Sequence, residues 1–271
     1  MGTIDLAALW NFGDPAGSEA RMRAAMAGAG AEDAAILRTQ IARTFGLRRE
    51  FSLAREELAP LLEREDELAP EARVRTHLEL GRTLCSATHP AESLTPQARA
   101  EAAQAYQRAA MIAREHGLDG LAVDALHMMA FTETDPARAL AWSMQALEAS
   151  LASTQPAARR WEASLRNNIG CALHELGRHD EALEMFERAQ ELHESTGDPG
   201  RVRVARWMVA WTLRAMRRHD EALRIQHALE AEHEAAGTTD PHVYAELAHL
   251  YRAMGDAAAA ANYEALAAQG A

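Results

Sequence analysis

The hexapeptide RHDEAL occurs twice, at Arg178–Leu183 and at Arg218–Leu223, and the two copies start 40 residues apart. When the copies are aligned, four further pairs of positions outside the hexapeptide can be compared. These pairs are Ile169 and Val209, Gly170 and Ala210, Leu173 and Leu213, and Phe186 and Gln226. Repetition at a fixed period predicts a fold that is built by stacking copies of one unit.

The order of large and small residues in this unit resembles the tetratricopeptide repeat, a helix–turn–helix. In that family the small residues let the two helices of a unit approach closely, and the large residues fill the space between units. Six such units can be placed in the chain. They start near Ala35, Val74, Gly120, Ala163, Arg203 and Pro241.

We therefore expect an all-α fold, with residues 35–271 forming an α-solenoid of about six repeats. Residues 1–34 are expected to form a capping segment with a short helix that begins at Asp14-Pro15 or at Ser18. Composition agrees with this reading, because alanine, leucine, glutamate and arginine are strong helix formers and no segment alternates like a strand.

The turns between paired helices have their own signals. Gly177 and Gly255 fall where first helices should end, and glycine accepts the left-handed conformation that ends many helices. Asp180 and Asp256 follow in the turn, and we expect them to cap the second helices.

The charge balance excludes several function classes. The net charge is −12, so the chain would repel nucleic-acid phosphates. All 28 basic residues are arginine, which excludes Schiff-base catalysis and a P-loop lysine.

The two cysteines, Cys85 and Cys171, lie far apart and form no CxxC motif. The sequence shows no secretory signal and no apolar run long enough for a membrane span. We expect a cytoplasmic protein with reduced thiols, which neither enters a membrane nor binds nucleic acid.

No catalytic motif stands out. The stretch HELGRH at His174–His179 is one residue too long for the zinc motif HExxH, and Gly177 interrupts its helix, so we expect no metal or cofactor. Cys171 and His174 lie one helical turn apart, which leaves open a thiolate pair or a small buried thiol. The sequence favours a protein without catalytic activity.

The chain also resembles a group of stand-alone bacterial tetratricopeptide proteins. The resemblance is clearest at Asp124–Ala130, Arg159–Gly170 and Arg203–Arg214. It supports the fold and implies no particular activity, because no biochemical function is settled for that group.

Positions on one face of each first helix should line a concave groove. The residues predicted to contact a ligand there are Arg43, Arg82, Asn167, His174, Trp207, Trp211, Arg214 and Arg252. Asp124 is the one acidic residue at these positions. Trp207 and Trp211 face either the groove or the core. His127 stands where the family has a small residue, so it is either a paired core histidine or a further ligand contact.

Arginine binds carboxylates and phosphates through paired hydrogen bonds. The first hypothesis is therefore a non-catalytic scaffold that holds an acidic peptide or an anionic segment of a partner protein in the groove. The alternative is a small-molecule anion pocket or an enzyme within the superhelix, using His127, His174, Cys171 and the arginines. The alanine-rich last helix is a candidate surface for a homodimer.

Overall fold

A computed structural model describes residues 4–269 and contains only helices and connecting segments over that range. The parts of the predicted end segments at residues 1–3 and 270–271 lie outside the described residues. The chain divides into two compact units at Trp161 and Glu162. This boundary coincides with the start of the fourth predicted repeat. Both units are built from antiparallel helix pairs, which is the α-solenoid architecture that the sequence predicted.

In the described residues, the first unit begins with two helices and continues with three helix pairs. Its α-helices are α1 (Leu6–Leu9), α2 (Pro15–Met26), α3 (Ala31–Leu47), α4 (Phe51–Leu62), α5 (Pro70–Leu84), α6 (Pro96–Glu115), α7 (Asp119–Met129), α8 (Pro136–Ala152) and α9 (Pro156–Arg159). The pairs are α3 with α4, α5 with α6, and α7 with α8. In α2, the fully buried Met22 packs against Leu37 and Ile41 of α3. The N-terminal helix therefore covers the first pair.

The second unit contains three further pairs. Its helices are α10 (Glu162–Glu175), α11 (His179–Thr196), α12 (Pro199–Ala215), α13 (His219–Ala235), α14 (Pro241–Met254) and α15 (Ala257–Gln269). The predicted starts of all six repeats fall within α3, α5, α7, α10, α12 and α14. These six are the first helices of their pairs.

Four helices begin at an Asp-Pro dipeptide, which the sequence displays directly. Asp14, Asp135, Asp198 and Asp240 each accept a hydrogen bond from a backbone N–H in the first turn of the helix that follows. Proline at the first helical position has no N–H to leave unpaired, and its fixed φ suits the helix. Asp14-Pro15 is thus the correct start of α2.

Close approach of paired helices depends on small residues, as expected. A Cβ added to Gly170 would lie 2.7 Å from the ring of Phe186, and one added to Gly81 would lie 2.4 Å from Tyr106. In the next repeat, Ala210 and Gln226 occupy the places of Gly170 and Phe186. Gln226 is fully buried there.

The turns follow the predictions with one correction. Gly177 and Gly255 have φ values of 74° and 87° at the ends of their first helices. Asp256 caps α15 by accepting a hydrogen bond from the Ala259 N–H at 3.0 Å. Asp180 does not cap α11, because the helix already begins at His179 and Asp180 lies in its first turn.

Candidate functional site

The first helices of the first unit carry a row of buried ion pairs. Arg43 of α3 lies 3.2 Å from a carboxylate oxygen of Glu79 in α5. Arg82 of α5 contacts both Glu79 and Asp124 of α7, each at 2.5 Å. Arg43 and Arg82, which the sequence predicted to bind an anionic ligand, therefore already have carboxylate partners within the chain.

The row also fixes the charge of its members. Burial raises the pKa of Asp124, but the guanidinium groups of Arg82 and Arg43 outweigh that effect and leave the pKa below its usual range. Burial lowers the pKa of Arg82, and the charges of Asp124 and Glu79 reverse this and raise it. Arg82 and Asp124 are therefore both ionised at neutral pH.

Sequence reasoning missed the acidic partners. Besides Asp124, Glu79 and Glu246 lie among the predicted groove residues, and both are buried. A signal was available, because each directly precedes a large packing residue of its first helix, Leu80 or Leu247, which is equivalent to Ile169 of the fourth repeat. A charged residue beside that packing position requires a partner, since buried charges are normally paired.

The arginines of the second unit are paired in the same way. Arg214 of α12 binds both carboxylate oxygens of Glu246 in α14, with one contact at 3.2 Å. Arg252 is exposed and pairs with Glu264 of α15. The structure thus brings each of the predicted arginines to a carboxylate of its own unit.

Histidine and tryptophan rings form a ladder across the first helices of the second unit. The ring of His174 stacks on Trp211 with centroids 3.4 Å apart, and Trp211 lies 6.0 Å from the parallel ring of Trp207. His179 and His242 meet the two ends of the ladder edge-on. Both tryptophans are half-buried.

Trp207 packs against the core and is also partly exposed at the surface. Its ring packs against the buried cluster of Leu229, Val243 and Leu247, and its indole N–H donates to the carbonyl of His242 at 3.2 Å. It also lines an open groove between α12 and α14. Trp207 therefore both packs against the core and lines a surface groove.

His174 is neutral at physiological pH. Burial, together with the nearby His179 and Arg214, lowers its pKa to about 4. A histidine of this kind stacks as an aromatic ring and carries no positive charge for an anionic ligand.

The nucleophile reading of Cys171 gains no support from its surroundings. Burial and the nearby Glu175 raise the pKa of the thiol, so it is protonated at neutral pH. In residues 4–269 no three His, Cys, Asp or Glu side chains gather into a group that could hold a metal. Over the same range, no helix has both the length and the apolar character needed to cross a bilayer.

His127 belongs to the first unit and lies among aromatic rings. Its ring centroid is 5.3 Å from Phe131 and 5.4 Å from Trp161. Burial lowers its pKa. Its surroundings are therefore those of a packed residue.

Two open grooves run beside α12 in the second unit. The first, here called the polar groove, lies between α10 and α12 and has a volume of about 430 Å³. Its lining includes Ser164, Asn167, Asn168, His193 and Arg201. The second, the apolar groove, lies between α12 and α14 and has a volume of about 500 Å³. Its lining includes Arg203, Trp207, Met208, His233 and Val243.

Of the predicted ligand contacts, the grooves gather only Asn167 and Trp207. Gly200 and Val204 line both grooves, so the two share the wall formed by α12. Sequence reasoning missed His193, His233 and Met208, which come from positions outside the expected face.

Residues 161–231, which span the fourth and fifth helix pairs, match the family model of the tetratricopeptide repeat. This part of the chain consists of tetratricopeptide repeats. The sequence of the chain matches no curated protein.

Solved structures share the fold of this chain at low sequence identity. Ligand-free RapI superposes with a TM-score of 0.58 at 11% identity, over 95% of this chain and 91% of RapI. Aspartyl phosphate phosphatase F from Bacillus subtilis gives a TM-score of 0.62 at 13% identity, over 93% of this chain and 64% of that one. NprR, solved in complex with its cognate peptide NprX, gives 0.55 at 15% identity, over 97% of this chain and 75% of NprR. At these identities the likeness establishes the fold.

Proposed function

We propose that the protein is a non-catalytic scaffold that binds an extended segment of a partner protein along α10, α12 and α14. The observation that carries this proposal is the pair of adjoining open grooves on these helices. An extended chain can enter both at once, whereas a small molecule is normally enclosed by a single pocket.

The chemistry of the lining supports a peptide ligand. Asn167 is half-buried in the polar groove and makes no side-chain hydrogen bond to another described residue. Its amide can therefore both donate to and accept from a peptide backbone. Trp207 and Met208 add apolar surface one repeat further along. Aromatic side chains and methionine are enriched at protein interfaces.

The fold comparison is consistent with this role. NprR shares the fold and was solved with its cognate peptide. For the present chain, a peptide ligand is our inference from the grooves.

Acidic character of the ligand remains a prediction that the internal ion pairs make less favourable. A ligand carboxylate would have to displace Glu246 from Arg214, or Glu264 from Arg252. It would also approach a chain whose net charge is −12. We therefore favour recognition through amide and apolar groups.

The proposal can be tested by selecting binders for the full-length protein from a random library of displayed twelve-residue peptides. We expect synthetic copies of selected peptides to bind with micromolar dissociation constants. Asn167→Ala and Trp207→Ala should each weaken binding by about tenfold or more, as expected of central contacts.

Phe12→Ala provides the control, because Phe12 is an exposed aromatic residue of the first unit. It should leave the dissociation constant unchanged. Far-ultraviolet circular dichroism would verify that each variant is folded. Failure of the library to yield a binder, or selected peptides that bind both groove variants as tightly as the wild type, would contradict the proposal.

A further inference from the structure

The two grooves are lined by equivalent positions of consecutive repeats. These positions are 40 residues apart, like the two RHDEAL copies. Each is lined by one first helix, by the next first helix, and by a histidine near the end of the intervening second helix. The equivalent residues, 40 positions apart, are Ser164 and Val204, Asn167 and Trp207, Asn168 and Met208, and His193 and His233. The backbone framework is thus duplicated while the groove-facing side chains change in type.

The polar groove offers uncharged hydrogen-bonding groups. Asn167 supplies an amide and Ser164 supplies a hydroxyl group. The charges at its rim are already matched, because Arg201 pairs with Asp198 at 3.2 Å and Asp198 also caps α12. Burial lowers the pKa of His193, which favours its neutral form. A side-chain amide suits this lining, because its polar end both donates and accepts hydrogen bonds and its CH2 groups can pack on Val204 and Ala205, which also line the groove.

The apolar groove offers a different surface. Trp207, Met208, Leu229 and Val243 contribute apolar side chains to its lining. The indole N–H of Trp207 is already bonded to the carbonyl of His242, so the ring adds only apolar area. A large aliphatic or aromatic side chain is the group that gains most from burial here.

The distance between the grooves is one repeat step, since they lie on either side of α12. Packed helices have axes about 8–10 Å apart. A polyproline-II segment rises about 3.1 Å per residue and turns once in about three residues. Side chains three positions apart therefore point to the same side and are separated by about one repeat step.

We propose that the segment recognised by this protein carries an asparagine or glutamine and a large apolar residue three positions apart, in an extended conformation. The amide enters the polar groove and the apolar side chain enters the apolar groove. This inference rests on the proposed function and specifies the partner sequence that the site accepts.

The test uses fluorescently labelled nine-residue peptides with one Gln and one Phe in a Pro, Gly and Ser background. The two residues are placed two, three, four or five positions apart, in both chain orders. Binding to the full-length protein is measured by fluorescence anisotropy. The spacing of three should bind best in one chain order, and spacings of two and four should bind at least tenfold more weakly.

Two variants change the side-chain type in the grooves, one from polar to apolar and one from apolar to polar. Asn167→Leu should weaken binding of the best Gln–Phe peptide at least tenfold and favour a peptide with Leu in place of Gln. Met208→Gln should reduce the advantage of Phe over Ala at the other position. Asn262→Leu and Met254→Gln make the same substitutions at exposed positions of α15 and α14, and should have no effect.

Three results would count against the inference in distinguishable ways. Equal affinity at all spacings would overturn the paired recognition and leave segment binding intact. If the peptides with a spacing of three bind best but neither groove variant changes their affinity, the peptide binds at a surface other than these two grooves. If neither these peptides nor a random peptide library yields a binder, the proposed function fails together with the inference.

Discussion

Arg217 adopts the left-handed backbone conformation, with a φ of 61°. It precedes the second RHDEAL copy at the place where Gly177 precedes the first, and Gly177 has a φ of 74°. A residue with a Cβ pays about 1–2 kcal/mol for this conformation, and glycine does not. The arginine side chain is exposed, and no ion pair or side-chain hydrogen bond compensates for the strain in the described structure.

We predict that Arg217→Gly raises the free energy of unfolding by about 1 kcal/mol, because it removes this strain. The reciprocal change, Gly177→Ala, should lower it by a similar amount. Urea denaturation followed by circular dichroism measures both. An Arg217→Gly variant that is less stable than the wild type would contradict the argument.

Gln226 is a polar residue in a fully buried place. Neither its amide nitrogen nor its carbonyl oxygen has a hydrogen-bond partner in the described structure. The equivalent residue of the preceding repeat is Phe186, which packs over Gly170. An unpaired buried amide costs about 1–3 kcal/mol.

Gln226→Met keeps the length of the side chain and removes its polar atoms, so we expect it to raise the free energy of unfolding by about 1–2 kcal/mol. Gln97→Met, at an exposed position of α6, should change the same quantity by less than about 0.5 kcal/mol. Chemical denaturation of the two variants compares them. Destabilisation by Gln226→Met would mean that the amide has a partner, such as an ordered water.

At the level of elements, the row formed by Arg43, Glu79, Arg82 and Asp124 joins three first helices of the first unit. Removing one partner of a buried pair leaves an uncompensated charge, at a cost of about 3–5 kcal/mol. A ligand-binding test that substitutes Arg82 would therefore measure lost stability together with lost affinity.

We predict that Arg82→Met lowers the free energy of unfolding by about 3–5 kcal/mol at pH 7. In the wild type, the folded-state pKa of Asp124 lies below its unfolded value of about 3.9. The ionised Asp124 therefore contributes fully to the free energy of unfolding above the unfolded pKa, and this contribution is lost as the pH falls through the folded pKa. Without Arg82 the buried carboxyl favours the protonated form, so the variant should lose less stability on acidification.

Denaturation curves at pH 7 and pH 3.5 give the comparison. Arg75→Met is the control, because Arg75 pairs with Glu71 near the surface, and such pairs contribute at most about 1 kcal/mol. Equal losses for Arg82→Met and Arg75→Met would show that the row is not a stabilising element.

Element boundaries were largely predictable from the sequence because their causes are local. Asp-Pro fixes a helix start through the geometry of proline, and Gly177 and Gly255 fix helix ends through their left-handed backbone. Which carboxylate each arginine pairs with was not predictable, since Arg43 and Glu79 lie 36 residues apart in sequence. Which carboxylate an arginine reaches depends on the rotation of each helix about its axis, and repeat spacing alone does not determine that rotation.

Across the whole molecule, the net charge and the internal pairing of arginines decide how ligand binding responds to salt. Uncharged amide and apolar contacts are little affected by screening. For a peptide selected against the full-length protein, we predict that the dissociation constant changes less than about twofold between 50 and 500 mM NaCl. A fluorescence titration at several salt concentrations measures this. A steep loss of affinity with salt would instead favour the acidic-ligand hypothesis, with Arg214 and Arg252 released from their carboxylates.

The sequence revealed the repeats most clearly where their copies are most alike, in the second unit. There the 40-residue register predicts both the helix pairs and the equivalence of Asn167 and Trp207. It did not reveal the grooves, because these depend on how far neighbouring first helices stand apart. The grooves also take part of their lining from second-helix residues, His193 and His233.

The wall that the two grooves share has a consequence for binding strength. Gly200 and Val204 place both sites on one helix, so a segment anchored at one is held within about one helix spacing of the other. A short flexible connection of this kind gives the second contact an effective concentration in the millimolar range. Two interactions that are each too weak to hold a partner can then act as one. A cell could release that partner by changing a single residue of the segment.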